Sequence, residues 1–170
     1  MRNKLKYWLL SDTHLGHDNL ILKDYSDRPV DFEEKIKKNC LNSIKDNDIL
    51  IFLGDYCIGN DKKWHNYLLG ELKCKKWLIK GNHDRQSTTW YFNNGWDFVC
   101  DELILNIFGK RILFSHRPIN ADYFDLNIHG HCHNNDHRDE NNEFRFSKKY
   151  KLVYLEHHYS PQNLQTFIGK

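Results

Sequence analysis

The chain has 170 residues, 39% of them hydrophobic and 14% aromatic, enough for one domain around a sizeable core, and residues 1–170 are expected to form a single domain. Its 25 basic and 23 acidic residues leave a formal charge of +2 spread along the chain, a balance that points to neither a nucleic-acid groove nor a membrane patch. The apolar run before Asp12 is too short for a signal-peptide core or a bilayer span, so a cytoplasmic location is the expectation. Five cysteines without CxxC spacing signal neither a disulfide framework nor a thiolate zinc site, and reduced thiols are expected.

In chain order, "KYWLLSDTH" is a short apolar strand ending in polar residues, and "DFEEKIKKNCLNSIK" follows as a helix. Phe32, Ile36 and Cys40 recur there at spacings of four, with Asp31 as candidate N-cap. "DILIFLGD" is a second strand. "DKKWHNYLLGELK" is a second helix built on Trp64, Leu68 and Leu72, and "KKWLIKGNHD" is a third strand. Strand, helix, strand, helix, strand predicts right-handed crossovers and a parallel sheet. A helix through "TTWYFNN" closes at Gly95. "FVCDELILNIFGKRILFSH" then reads as a hairpin turning at Gly109 and Lys110. "LNIHGHCH" adds a strand, "NNDHRDENNE" a long polar loop, and the tail one or two strands with a short helix after Pro161.

In parallel sheets, residues just beyond the carboxyl ends of the strands gather along one edge, where ligands bind. Those ends carry Asp12, His14, Asp55, Asn82, His83, His116, His131 and His133. All offer oxygen or imidazole donors, suited to Mn, Fe, Co, Ni or Zn. Side chains two apart on a strand point the same way, so Asp12 with His14, and His131 with His133, can each address one cavity. His17 is out of that phase, three residues from His14, and is a candidate for the substrate side of the cleft.

The ordered motifs DxH (Asp12, His14), GD (Gly54, Asp55), GNHD (Gly81 to Asp84), SH (Ser115, His116) and GHxH (Gly130 to His133) resemble the calcineurin-like metallophosphoesterase family. The run "SDTHLGHDNL" followed by "DRP" is similar to its small single-domain bacterial and phage members. The resemblance implies an α/β fold, a four-layer α-β-β-α sandwich with two facing mixed sheets flanked by helices; the periodicity alone shows only a βαβ half and a later β-rich half. It implies two divalent metal ions, Mn2+ first and Fe, Ni, Co or Zn as alternatives. Asp12, His14 and His133 would hold one metal, Asn82, His116 and His131 the other, and Asp55 would bridge. His83 would be the general acid, its ring oriented by Asp84, while a metal-bridging hydroxide attacks phosphorus in line.

The implied substrate is a small phosphodiester, nucleotide-like or cyclic. A phosphomonoesterase acting on a small phosphorylated metabolite and a catalytically silent scaffold of the same fold stand as alternatives. "GDYCIGN" and "GNHD" depart from the GDxxDRG and GNHE of the Ser/Thr protein phosphatases, which argues against that branch. Arg85, Arg117, His137 and Arg138 follow the motifs and admit two readings, phosphate contacts or solvated loop residues. Trp90 and Tyr91 likewise either stack a base or pack a helix. The sequence leaves the oligomeric state open.

Overall fold

The computed structural model describes residues 4–21, 28–133, 144, 147–156 and 158–169. His137 and Arg138 therefore lie outside the described residues. Strands β1 (Tyr7–Leu10), β2 (Ile49–Phe52) and β3 (Lys75–Ile79) pair in parallel, joined by helices α1 (Phe32–Ser43) and α2 (Asp61–Leu69). Helix α3 (Thr88–Asn93) leads to β4 (Phe98–Cys100), which extends the sheet beside β3. The antiparallel β9 (Gln162–Asn163) closes the other edge, giving the order β4-β3-β2-β1-β9, and α4 (Leu164–Ile168) follows it.

The second sheet contains β5 (Glu102–Ile107), β6 (Lys110–Ser115), β7 (Leu126–His129) and β8 (Tyr150–Leu152), in that order. β5 and β6 are antiparallel, while β6, β7 and β8 run parallel, so both sheets are mixed.

Alternation along the strands divides the core in two. Leu9, Ile51 and Ile79 of the first sheet meet Ile112, Phe114 and Ile128 of the second in one buried layer. Leu10, Leu50, Phe52 and Leu78 face the other way, packing with Phe32, Ile36 and Cys40 of α1 and Trp64 and Leu68 of α2. The fold is thus α/β, two facing mixed sheets flanked by helices. On the second sheet, Asn127 anchors segment 117–125 by accepting the N–H of Ile119 at 2.9 Å.

Three local expectations change. The hairpin turns at Phe108 and Gly109, both at positive φ (52° and 70°), and Lys110 is already in β6, paired with Ile107. "FVC" joins the first sheet, so the chain changes sheets at Asp101. The Asp31 side chain makes no capping hydrogen bond and instead pairs with Lys35, whereas Asn60 caps α2 by accepting from the Lys63 N–H.

Candidate metal centre

The strand ends gather along one edge, as a parallel arrangement requires. β1 stops at Leu10 and β7 at His129, so the regular two-residue alternation does not extend through Asp12, His14, His131 or His133. Their common direction comes from left-handed backbone instead: φ is 54° at Asp12, 45° at His14, 59° at Asp55, 69° at His131 and 51° at His133. Each non-glycine residue held there costs on the order of 1 kcal/mol. Strain of this kind persists only where the surroundings over-determine it.

Main-chain hydrogen bonds do so here. Asp12 and His14 donate N–H groups to Gly54 O (2.9 Å) and Asp55 O (3.0 Å), and Leu15 donates to Tyr56 O (3.0 Å). The first two metal-motif loops are thereby laid side by side. Gly54 itself sits at φ +86°, and a Cβ on it would stand 2.6 Å from both Gly81 N and His116 Nδ1. Only glycine lets the three loops close to this distance.

Two donor triads result, each with ligand atoms within 4.8 Å of one another: Asp12, His14 and His133, and Asp55, His116 and His131. A third group, His14, Asp55 and His83, spans them, so Asp55 lies between the halves. Asn82 joins the second half, its Oδ1 3.1 Å from His116 Nε2.

The hydrogen bonds orient the rings. His116 donates Nδ1–H to Leu53 O (2.7 Å), which leaves Nε2 toward Asp55 Oδ2 at 3.4 Å. Asp12 Oδ2 accepts the Ser11 hydroxyl (2.5 Å) and the His131 N–H (2.8 Å). Its Oδ1 is buried without a hydrogen-bond partner, facing His14 Nε2 at 3.8 Å and His133 Nε2 at 3.7 Å. A buried carboxylate oxygen left this way is costly unless a cation answers it, and the surrounding donors are those a divalent ion takes. The residues fit a metal pair.

Charge agrees with that fit. Burial pushes His14 well below the ordinary imidazole value, so it is a neutral lone-pair donor near pH 7, and burial raises Asp12 above the usual carboxylate range. Burial also works to raise Asp55, but the hydrogen bond and charge of His116 outweigh it and hold the carboxyl well below that range. For His116 burial works downward, and the carboxylates of Asp55 and Asp12 win, lifting it to about 9. A divalent cation held there would compete with a proton for this pair of groups.

His83 donates its main-chain N–H to Asp55 Oδ1 (2.8 Å), while its side chain is 38% exposed with Nε2 4.0 Å from Asp55 Oδ2. Its ring meets His14 edge-on at 5.3 Å. Among the described residues no hydrogen bond joins Asp84 to the His83 ring. Buried Asp84 accepts the N–H groups of Asp55 (2.7 Å), Tyr56 (3.2 Å) and Gly81 (2.8 Å), fastening two loops together rather than holding the His83 ring.

The outer residues divide. Arg117 reaches Asn82 Oδ1 (3.4 Å) and Arg85 reaches Asn82 O (3.5 Å), both exposed on the Asn82 side. His17 starts a 3-10 turn over Asp18–Leu20, its ring 6.1 Å from that of His14. Trp90 and Tyr91 pack on buried His65, within the helix layer. Ser115 donates to Arg117 O (2.6 Å), a turn hydroxyl.

Two residues were missed. Arg28, buried, donates to Thr13 O (2.7 Å), Asp12 O (2.8 Å) and Glu156 Oε1 (2.8 Å). Glu156 Oε1 also accepts Nδ1–H of His133 at 2.7 Å. Arg28 stands in the quoted "DRP", an arginine with no assigned task; Glu156 stands beside two histidines and carries no spacing signal.

The family model for calcineurin-like phosphoesterase matches residues 5–168. The chain belongs to the calcineurin-like phosphoesterase family. It is 32% identical over 143 residues to an uncharacterized protein of Methanocaldococcus jannaschii, covering 79% of this chain and 73% of that one. It is also similar to the crystal structure of a protein of unknown function from Aquifex aeolicus, with 28% identity, a TM-score of 0.76, and 96% and 97% of the two chains covered. A nuclease of Pseudomonas putida shares the fold at 20% identity and a TM-score of 0.50, over 75% of this phosphoesterase and 61% of the nuclease. Among the described residues no helix is long and apolar enough to cross a membrane.

Proposed function

We propose that this phosphoesterase uses two divalent cations to hydrolyse a small phosphodiester, with Asp12, His14 and His133 holding one, Asn82, His116 and His131 the other, and Asp55 shared. The observation that carries the reading is the placement of Asp55 between two donor triads beside an exposed His83. When bound, the cations supply Lewis acidity that neutralises phosphate oxygens and brings a water pKa toward neutrality. Mn2+ is the first choice for this oxygen- and imidazole-rich set, with Fe, Co, Ni or Zn as alternatives.

The protein's own groups then do the rest. Rings fixed by hydrogen bonds would hold the cations in fixed positions, so little reorganisation is needed at the moment of reaction. His83, the exposed imidazole of the cluster, gives its proton to the leaving oxygen, which matters most for a poorly leaving alkoxide. Arg85 and Arg117 meet phosphate oxygens from the Asn82 side, and His17 lies toward the other.

The diester preference rests on His83, since a proton donor to an alkoxide suffices without a closed pocket for a dianionic monoester. A silent scaffold would have no use for retaining all seven donors and His83. Residues 1–170 are taken to act as one domain, and five free thiols favour a reducing, cytoplasmic setting.

The test is hydrolysis of bis-p-nitrophenyl phosphate and p-nitrophenyl phosphate with added Mn2+, by wild type and His83→Ala. Faster diester turnover that depends on metal is expected, with a loss in His83→Ala that is smaller on these acidic leaving groups than on an alkyl diester. Preference for the monoester would move the assignment to a phosphomonoesterase, and absence of metal-dependent turnover on either would leave the scaffold reading. A nucleotide panel including 2′,3′-cyclic forms then names the substrate.

A further inference from the structure

The donors of the two triads are not held alike. His116 gives Nδ1–H to a neutral acceptor, the carbonyl of Leu53. His133 gives Nδ1–H to a carboxylate, and that same oxygen, Glu156 Oε1, takes Nη2 of Arg28 at 2.8 Å. The Arg28 side chain is 0% exposed and that of Glu156 4%. Arg28 also fastens the carbonyls of Asp12 and Thr13, on the stretch where Asp12 and His14 stand at positive φ.

A buried ion pair is weak evidence for stability, because well-packed apolar residues of similar volume stabilise as much or more. This pair has a more specific geometry. It joins the main chain of Asp12 to the ring of His133, two donors 121 residues apart whose reactive atoms, Asp12 Oδ1 and His133 Nε2, face each other at 3.7 Å. A carboxylate on the far nitrogen of a ligating imidazole fixes its tautomer and strengthens it as a donor.

We infer that Arg28 and Glu156 are positioning residues for the Asp12, His14 and His133 half of the centre, and make it the tighter of the two cation positions. The inference rests on the two-metal reading. Glu156 directs the Nε2 lone pair of His133 inward, and Arg28 keeps Asp12 and His14 in the strained backbone that turns both toward it.

Two readouts on the full chain test this, both apart from turnover. The first is equilibrium dialysis and calorimetric titration with Mn2+ on wild type, Glu156→Gln and Arg28→Lys, with circular dichroism to confirm folding. Wild type is expected to bind two equivalents of unequal affinity; in each variant the tighter one is weakened by about 10- to 100-fold while the looser one is unchanged, and weakening of the looser one alone would overturn the inference. The second is the 15N spectrum of the histidines in the metal-free protein, with His133 assigned from a His133→Gln sample. An Nδ1–H tautomer is expected in wild type and is lost in Glu156→Gln.

Two equivalents bound with unchanged affinity in folded variants would overturn the inference, as would equal weakening of both. Fewer than two equivalents in wild type would overturn the two-metal reading and the inference with it. Should a single variant fail to fold, the double replacement Arg28→Met with Glu156→Met restores the packing. A structural role predicts that it regains wild-type Mn2+ affinity, and a positioning role predicts that the weakened equivalent stays weak.

Discussion

The carboxylate of Asp84 takes the main-chain N–H of Asp55 at 2.7 Å and that of Gly81 at 2.8 Å, so one buried side chain joins the loop carrying Asp55 to the loop carrying Asn82 and His83. Its other oxygen takes the N–H of Tyr56. Asp84→Ala leaves three interior N–H groups without an acceptor. Hydrogen bonds to a charged group contribute about 1.5–3 kcal/mol each, less than additively, so a loss of about 3–5 kcal/mol is expected. For a chain this long the melting temperature should fall by about 6–20 °C. Asp84→Asn, which keeps one acceptor oxygen, should fall between. An unchanged melting temperature with only a shifted pH-rate profile would return Asp84 to the role of orienting His83.

His83→Ala should leave Mn2+ binding intact, because the ring is not needed by either triad, and should lower kcat by about 100-fold or more, the usual contribution of a positioned acid. The loss should shrink as the leaving group becomes more acidic. Comparing an alkyl phosphodiester with bis-p-nitrophenyl phosphate measures this. Equal losses on both would take the proton-donor role away from His83.

The five strand ends were legible because each is an apolar run of Ile, Leu, Trp or Phe stopping at polar residues, and a parallel sheet brings such ends together. The shared direction of Asp12 with His14 was expected from strand alternation; it arises from left-handed backbone beyond the strand, which no local pattern of non-glycine residues announces. Phe98–Cys100 and Glu102–Ile107 are short strands with only Asp101 between them, so their division between sheets depends on long-range partners. Arg28 and Glu156 meet across 128 residues of sequence, and neither has a motif-like spacing. The role of Asp84 toward the His83 ring is implied by the GNHD resemblance, whereas its contacts to main-chain N–H groups leave no trace in side-chain identity.

Cys100 gives a pH test away from the centre. Burial raises its thiol, as does the negative charge of Asp101, from an ordinary value of 9.0 up to about 11. Because the thiolate is the reactive form, alkylation of this half-buried cysteine at pH 8 should be about 100-fold slower than at a free thiol of ordinary pKa. The rate should climb about tenfold per pH unit through pH 9 and level only toward 11. Asp101→Asn should bring the plateau to lower pH. Mass-spectrometric alkylation kinetics on the folded chain check this; a plateau near pH 9 would contradict it.

Arg85 and Arg117 both reach Asn82, the first at its main-chain carbonyl and the second at its side-chain oxygen. Both are exposed, so neither is tied up by burial, and both contacts to Asn82 are long. A phosphate oxygen is a stronger partner for a guanidinium than an amide oxygen, and the two should leave Asn82 for it. Because exposed charges contribute little each, Arg117→Ala should raise KM by about 3- to 10-fold with little change in kcat, and Arg85→Ala by less. The effect should weaken as salt rises. It should also be larger for a substrate with a second phosphate beside the attacked one than for bis-p-nitrophenyl phosphate. His17→Ala, on the other side of the site, should alter turnover with metal content unchanged; loss of metal would make His17 a ligand or its holder. Steady-state kinetics at two salt concentrations, with metal analysis of each variant, separate these outcomes. An Arg117→Ala enzyme that lost kcat at constant KM would place that arginine at the transition state rather than at the rim.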